Sequence, residues 1–301
     1  MRAALAVAAT LAAFAWAGDL GAFCRTTTSR ARSSVPGECV TSGIPLGWRS
    51  RCTGYSLYRG EVPAEIPFTT LETITRESTS AWARVPCDQD GRGVQYFRVL
   101  PNAPTWNLSG YNPQGANSNT VSFRHRWGDN AIHRAGTIAI TIVTFDSYTG
   151  EIFDADIELN TYDEARNRDG FRFSTATTNP DPGTADLQTI LTHEFGHFMG
   201  LSHSSNDRAV MWPEAGLGEI RRTLTADDAL GMCTIYPESR TPDTRCLAVP
   251  YGGLTTQPGT VKVLGANDCA VSPGSVASPR ALTGWLVLAG VGVLTRRRRR
   301  M

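Results

Sequence analysis

The segment His193-Glu194-Phe195-Gly196-His197-Phe198-Met199-Gly200-Leu201-Ser202-His203 constrains this chain more than any other. Successive helical residues are about 100° apart, so His193 and His197 leave the same face of a helix. Two neutral imidazoles at that spacing can share a Zn²⁺ at roughly 2.0–2.1 Å. Glu194 points beside the metal, not at it. That suits a base acting on a water at the zinc, whose pKa the ion lowers toward ~7. An unbroken helix would carry His203 about 240° from His197, away from the metal. Gly200 is the expected break, because glycine takes the left-handed conformation that ends a helix at little cost. His203 can then return to the third ligand position. Three histidines leave a fourth position open, as a catalytic zinc needs and a structural zinc does not.

The 301 residues are 41% hydrophobic and 19% charged, which is ordinary globular composition. The length suits one medium domain with appendages. The net charge of +1 conceals an asymmetry. Arg2 and Arg296 to Arg300 lie in segments read as targeting signals; without these six of the 29 basic residues, 23 stand against 28 acidic ones. No basic stripe remains outside the C-terminal tip, which argues against a nucleic-acid partner.

Residues 1–17 read as a signal peptide: Arg2, an apolar run from Ala3 to Phe14, and an A-x-A pattern at Ala15-Trp16-Ala17. Residues 18–50 form an N-terminal extension and 51–237 the main domain. Within that domain, residues 69–85 read as an amphipathic helix with a capping box at Thr69 and Glu72. Residues 101–135 suit surface loops. Thr137 to Phe145 reads as a strand, and Glu151 to Leu159 as a half-buried strand with period two. A helix is expected from about Asp186, its N-cap, to Met199. Another starts near Thr225, where Thr225 and Asp228 resemble a capping box, and stops before Pro237.

Asp154, Asp156 and Glu158 share one face of the second strand. That face reads as solvated and polar; the alternative is a Ca²⁺ site, since carboxylate oxygens suit that ion. Export makes disulfides the default for the seven cysteines. Cys24 and Cys39 would staple the extension, local closure favours Cys233 with Cys246, and Cys269 is left over. Residues 238–280 read as a linker rich in Pro, Gly, Ser and Thr, and 281–301 as an apolar and arginine-rich C-terminal segment. Its apolar run, Ala281 to Thr295, spans about 22 Å as a helix against a ~30 Å hydrocarbon core. It is a marginal transmembrane helix that flanking arginines would help to insert.

The motif resembles that of the metzincin metallopeptidases, H-E-x-x-H-x-x-G-x-x-H, and within them the matrixin-type group. His193, Glu194, His197, Gly200 and His203 match it. Met211, in Ala209-Val210-Met211-Trp212-Pro213, matches the family's Met-turn, and Leu224 to Pro237 resembles its last helix. The resemblance implies an α+β fold with a twisted, mostly parallel sheet, an antiparallel edge strand, an active-site helix and a C-terminal helix. It implies a substrate lying extended along the edge, for which Thr137 to Phe145 is the choice. The family's P-R-C-G cysteine switch is absent. For its second, structural zinc only His125 and His133 are at hand, and exposed loop histidines are the plainer reading. The tail resembles myxobacterial C-terminal sorting segments through Cys269, Trp285 to Leu294 and Arg296 to Arg300. That implies sorting and processing machinery as partners and transient membrane contact.

The expectation is a secreted or cell-surface, monomeric zinc endopeptidase acting on proteins or peptides. His193, His197 and His203 would hold one Zn²⁺, with Glu194 as general base and Met211 as support. The alternatives are a surface binding or adhesion module with a non-catalytic zinc site, and a zinc peptidase outside the metzincins that uses a distant Glu as third ligand.

Overall fold

A computed structural model of the chain describes residues 22–29, 31, 35, 37–50, 52–87, 98–102, 104–105, 110–129, 133–134, 136–162, 170–237 and 267–273. Residues 1–17, expected to be a signal peptide, and the apolar, arginine-rich stretch at 281–301 lie outside the described residues. Among the described residues no helix is long and apolar enough to cross a membrane.

The elements in chain order are β1 (Cys24–Arg25), β2 (Cys52–Leu57), α1 (Phe68–Ala83), β3 (Arg98–Pro101), β4 (Thr120–Arg124), β5 (Ala139–Phe145) and β6 (Ile152–Asn160). There follow β7 (Phe173–Ser174), β8 (Ala185–Asp186), α2 (Leu187–Phe198), β9 (Leu201–Ser202), β10 (Glu214–Ala215), α3 (Ala226–Ile235) and β11 (Asn267–Pro273). Five strands form the body of the main sheet in the order β3-β2-β4-β6-β5, and β11 and β10 extend it beyond β5 to seven. β2 is parallel to β3 and β4, and β4 is parallel to β6. β5 runs antiparallel to β6. This is the expected α+β architecture: a mostly parallel sheet, an antiparallel edge and three helices.

The alternation of β5 and β6 decides how the layers assemble. Ala139, Val143, Phe145, Ala155, Ile157 and Leu159 join the main core, against helix residues such as Leu191, Phe195 and Trp82. α1 and α2 pack on each other on this face, and the Trp82 indole donates to the carbonyl of Thr192 at 2.8 Å. Ile140 and Ile142 point the other way, into a small cluster with Trp127.

That second face is where the structure departs from expectation. Asp154, Asp156 and Glu158 are buried, not solvated, because Gly110, Trp127 and His133, on the segments flanking β4, lie over that face. The amides of Gly110 and Thr120 donate to Asp156 at 2.6 and 2.7 Å. His133 lies 2.6 Å from Glu158 and is itself buried, not an exposed loop residue. Parts of this region read as plain loop, yet Thr120–Arg124 is a central strand.

These buried acids are costly to ionise. Burial, only partly offset by the two amides, pushes Asp156 from 3.8 up to about 7. Burial first, then the charge of Asp156, raises Asp154 well above its usual range. The folded state therefore binds more protons than the unfolded one across this interval. Stability falls as pH rises from about 4 to about 7. In thermal melts with a chelator present, Asp154→Asn should raise the melting temperature at pH 8 and flatten its slope between pH 4 and 7. A lower melting temperature for the variant at pH 8 would contradict this.

The helix termini are set by local chemistry. α3 has the expected capping box, with the Thr225 hydroxyl accepting from the Asp228 amide and the Asp228 side chain accepting from the Thr225 amide. α1 begins at Phe68 behind Pro67, with no side-chain cap. Thr69 is already inside the helix, so the capping box expected there does not form. Cys24 pairs with Cys39 as expected. Cys233 pairs with Cys87, not Cys246, at a Cα–Cα distance of 5.2 Å. α3 packs beside the segment that follows α1, and a bridge follows spatial approach, not closeness in sequence.

Candidate active site

α2 carries the motif. Its N-cap, Asp186, accepts from the Thr189 amide at 2.8 Å and pairs with the Arg222 guanidinium. His193 and His197 both leave the inner face of the helix, their ring centroids 4.6 Å apart. α2 ends at Phe198. Gly200 then adopts φ +100°, a conformation L side chains rarely take. Its amide donates to the carbonyl of His197. The chain reverses through β9, and the His203 ring arrives 5.3 Å from His193 and 4.8 Å from His197. The expected glycine break is present, and it brings the third histidine back. The ligand atoms of His193, His197 and His203 all lie within 4.8 Å of one another, the only such His/Cys/Asp/Glu group among the described residues. Asp154, Asp156, Glu158 and His133 are on the opposite face of the sheet and form no such convergence.

Protonation is set by backbone carbonyls. Nδ1 of His193 lies 2.6 Å from the Val210 oxygen, and Nδ1 of His197 lies 2.9 Å from the Leu201 oxygen. A carbonyl only accepts, so each Nδ1 carries the proton and each Nε2 presents a lone pair. Nε2 of His193 and of His197 are buried and have no hydrogen-bond partner. Burial pushes His193 down to about 4 and His197 well below its ordinary value. Both rings are therefore neutral at physiological pH, the form that binds a metal. Buried nitrogen lone pairs converging without a proton between them fit a zinc ion.

Glu194 is fully buried beside this cluster. The Thr141 hydroxyl, on β5, reaches its Oε2 at 2.5 Å and its backbone oxygen at 3.1 Å.

Met211 sits beneath α2. A Cβ built on Gly196 would stand 2.2 Å from the Met211 sulfur, so only glycine between the two helical histidines admits this contact. Asp228 anchors the turn, its carboxylate accepting from the Val210 and Met211 amides at 3.0 and 3.1 Å. The turn's Val210 carbonyl orients His193, so Asp228 supports that ligand through one intermediate.

Residues 105–237 match the family model described as Matrixin. By sequence this segment resembles the matrixin metallopeptidases. Its histidine triad is a donor set that fits a zinc ion. The matrixin-like domain is also similar to plant enzymes. Metalloendoproteinase 1-MMP of Arabidopsis thaliana is 43% identical over 51 residues, 17% of this chain and 14% of that protein. Metalloendoproteinase 2-MMP of Arabidopsis thaliana is 34% identical over 77 residues, 26% of this chain and 18% of the relative. Metalloendoproteinase 1 of Glycine max is 37% identical over 60 residues, 20% of each chain. The chain thus spans a fifth or less of the length of these curated relatives.

Three features of the matrixin-like domain's site escape sequence reasoning. Thr141 lies in a strand that was legible, and a hydroxyl inside the apolar run TIAITIVTF was its one signal. Asp228 was legible as a cap but not as the anchor of the Met211 turn. The N-terminal segment also contributes, since the Thr26 amide donates to the Gly200 carbonyl at 2.9 Å and β1 pairs with β9.

Proposed function

We propose that this chain is a secreted or cell-surface zinc endopeptidase. The observation that carries this reading is the convergence of three imidazoles beside the buried Glu194. His193, His197 and His203 would hold the metal through Nε2, with Val210 and Leu201 fixing the first two rings. When bound there, zinc supplies Lewis acidity, polarising a carbonyl and lowering the pKa of a coordinated water toward ~7. Glu194 takes the proton from the attacking water and passes it to the leaving amine. Thr141 engages Oε2 and so holds the carboxylate in place beside the triad. The substrate is a protein or peptide held extended against the outer edge of β5 by strand addition.

The test is hydrolysis of an unfolded protein such as casein. Activity should vanish on quantitative removal of zinc and return with one equivalent per chain. Cleavage that survives complete zinc removal would refute the reading.

A further inference from the structure

The outer edge of β5 is not bare. β11, Asn267–Pro273, lies antiparallel along it with Asn267 opposite Val143, Cys269 opposite Thr141 and Val271 opposite Ala139. On its other side β11 runs parallel to β10, with Ser272 and Pro273 opposite Glu214 and Ala215. The stretch read as linker therefore contains a strand with a partner on each side. Its location matters more than its existence. β5 carries Thr141, the residue hydrogen-bonded to Glu194. β10 begins three residues after Met211. α2, which carries His193 and His197, also packs on β11. The backbone at Cys269 thus lies opposite Thr141, the residue bonded to the candidate general base, between β5 and β10.

From this placement we infer that the chain's own segment 267–273 is the resident occupant of the substrate cleft, an extended strand that an external peptide must displace. The inference rests on the reading of the β5 edge as the substrate-binding edge. An exposed edge strand presents a row of unpaired amides and carbonyls that any extended peptide can use. A tethered segment uses them first. The 29 residues from 238 to 266 join this strand covalently to the rest of the chain. Covalent linkage makes the segment's binding intramolecular, at an effective concentration on the order of millimolar. A free peptide of similar affinity at micromolar concentration would compete poorly.

The test uses the full chain and a double variant, Cys269→Pro with Ala270→Pro. Adjacent amides in a strand point to opposite edges, so one of the two faces β5. Proline there removes a ladder donor. Hydrogen exchange at 139–143 should be slow in the wild type and at least tenfold faster in the variant, with the thermal midpoint of the domain held. That readout needs no catalysis. Peptide hydrolysis at sub-millimolar substrate should rise at least tenfold in kcat/KM, mainly through KM. A synthetic peptide of residues 264–276 should restore competitive inhibition of the variant. Cleavage within 267–273 by the wild type but not by Glu194→Gln would equally support occupancy. Equal exchange at 139–143 in the two proteins, or no inhibition by the peptide, would overturn the proposal. Loss of protection without peptidase activity in either protein would leave the occupant standing and refute the peptidase reading instead.

Discussion

Glu194→Gln should lower kcat on a peptide substrate by about 10²- to 10⁴-fold, the range for loss of a positioned general base, while zinc content stays near one per chain. Glutamine matches glutamate in shape and keeps an oxygen that can accept from Thr141, whose hydroxyl sits 2.5 Å from Oε2. None of the atoms that converge on the metal position belongs to residue 194. The variant therefore removes proton transfer and little else. KM should change by less than the rate, because the missing interaction belongs to the transition state. Metal analysis alongside steady-state kinetics checks both halves. A variant that turns over at the wild-type rate would remove Glu194 from the mechanism.

Gly200→Ala should have the largest effect on folding. The backbone there holds φ +100°, and an added Cβ would stand 2.8 Å from the Leu46 carbonyl oxygen. Both partners in that clash are backbone, so neither can swing aside. The conformation alone costs roughly 1–3 kcal/mol for a residue with a Cβ, and overpacking adds a similar amount. A total near 3–4 kcal/mol should lower the melting temperature of a domain this size by about 6–15 °C. The turn also delivers His203, so zinc affinity should fall with stability. A variant with wild-type melting temperature and zinc content would mean that the turn does not need its glycine.

The parts of the site that were legible in the sequence are those written in local spacing. His193, Glu194 and His197 follow from helical geometry, and Gly200 and His203 from the need to leave that geometry. The Thr225–Asp228 capping box and the strand at Ala139–Phe145 are likewise short-range patterns. What stayed hidden depends on distant residues. β2 contains Gly54 and Ser56 and is buried along its whole length, so it lacks the alternation that marks a half-exposed strand. The acidic face of β6 reads as solvated because nothing local shows that Gly110, Trp127 and His133 cover it. Asp228 acts on the turn at Val210 and Met211, 17 to 18 residues away in sequence. Cys87 and Cys233 are 146 residues apart. β11 finds its partners only through tertiary structure.

The most direct test of the whole account is zinc binding by wild type and His203→Ala, measured by equilibrium dialysis against a chelator of known affinity. The wild type should bind one zinc per chain, and the variant should lose at least 10²-fold in affinity while keeping its fold by circular dichroism. Unchanged affinity in His203→Ala would show that the ion is held by some other third ligand, and the Gly200 turn would then have no part in a metal site.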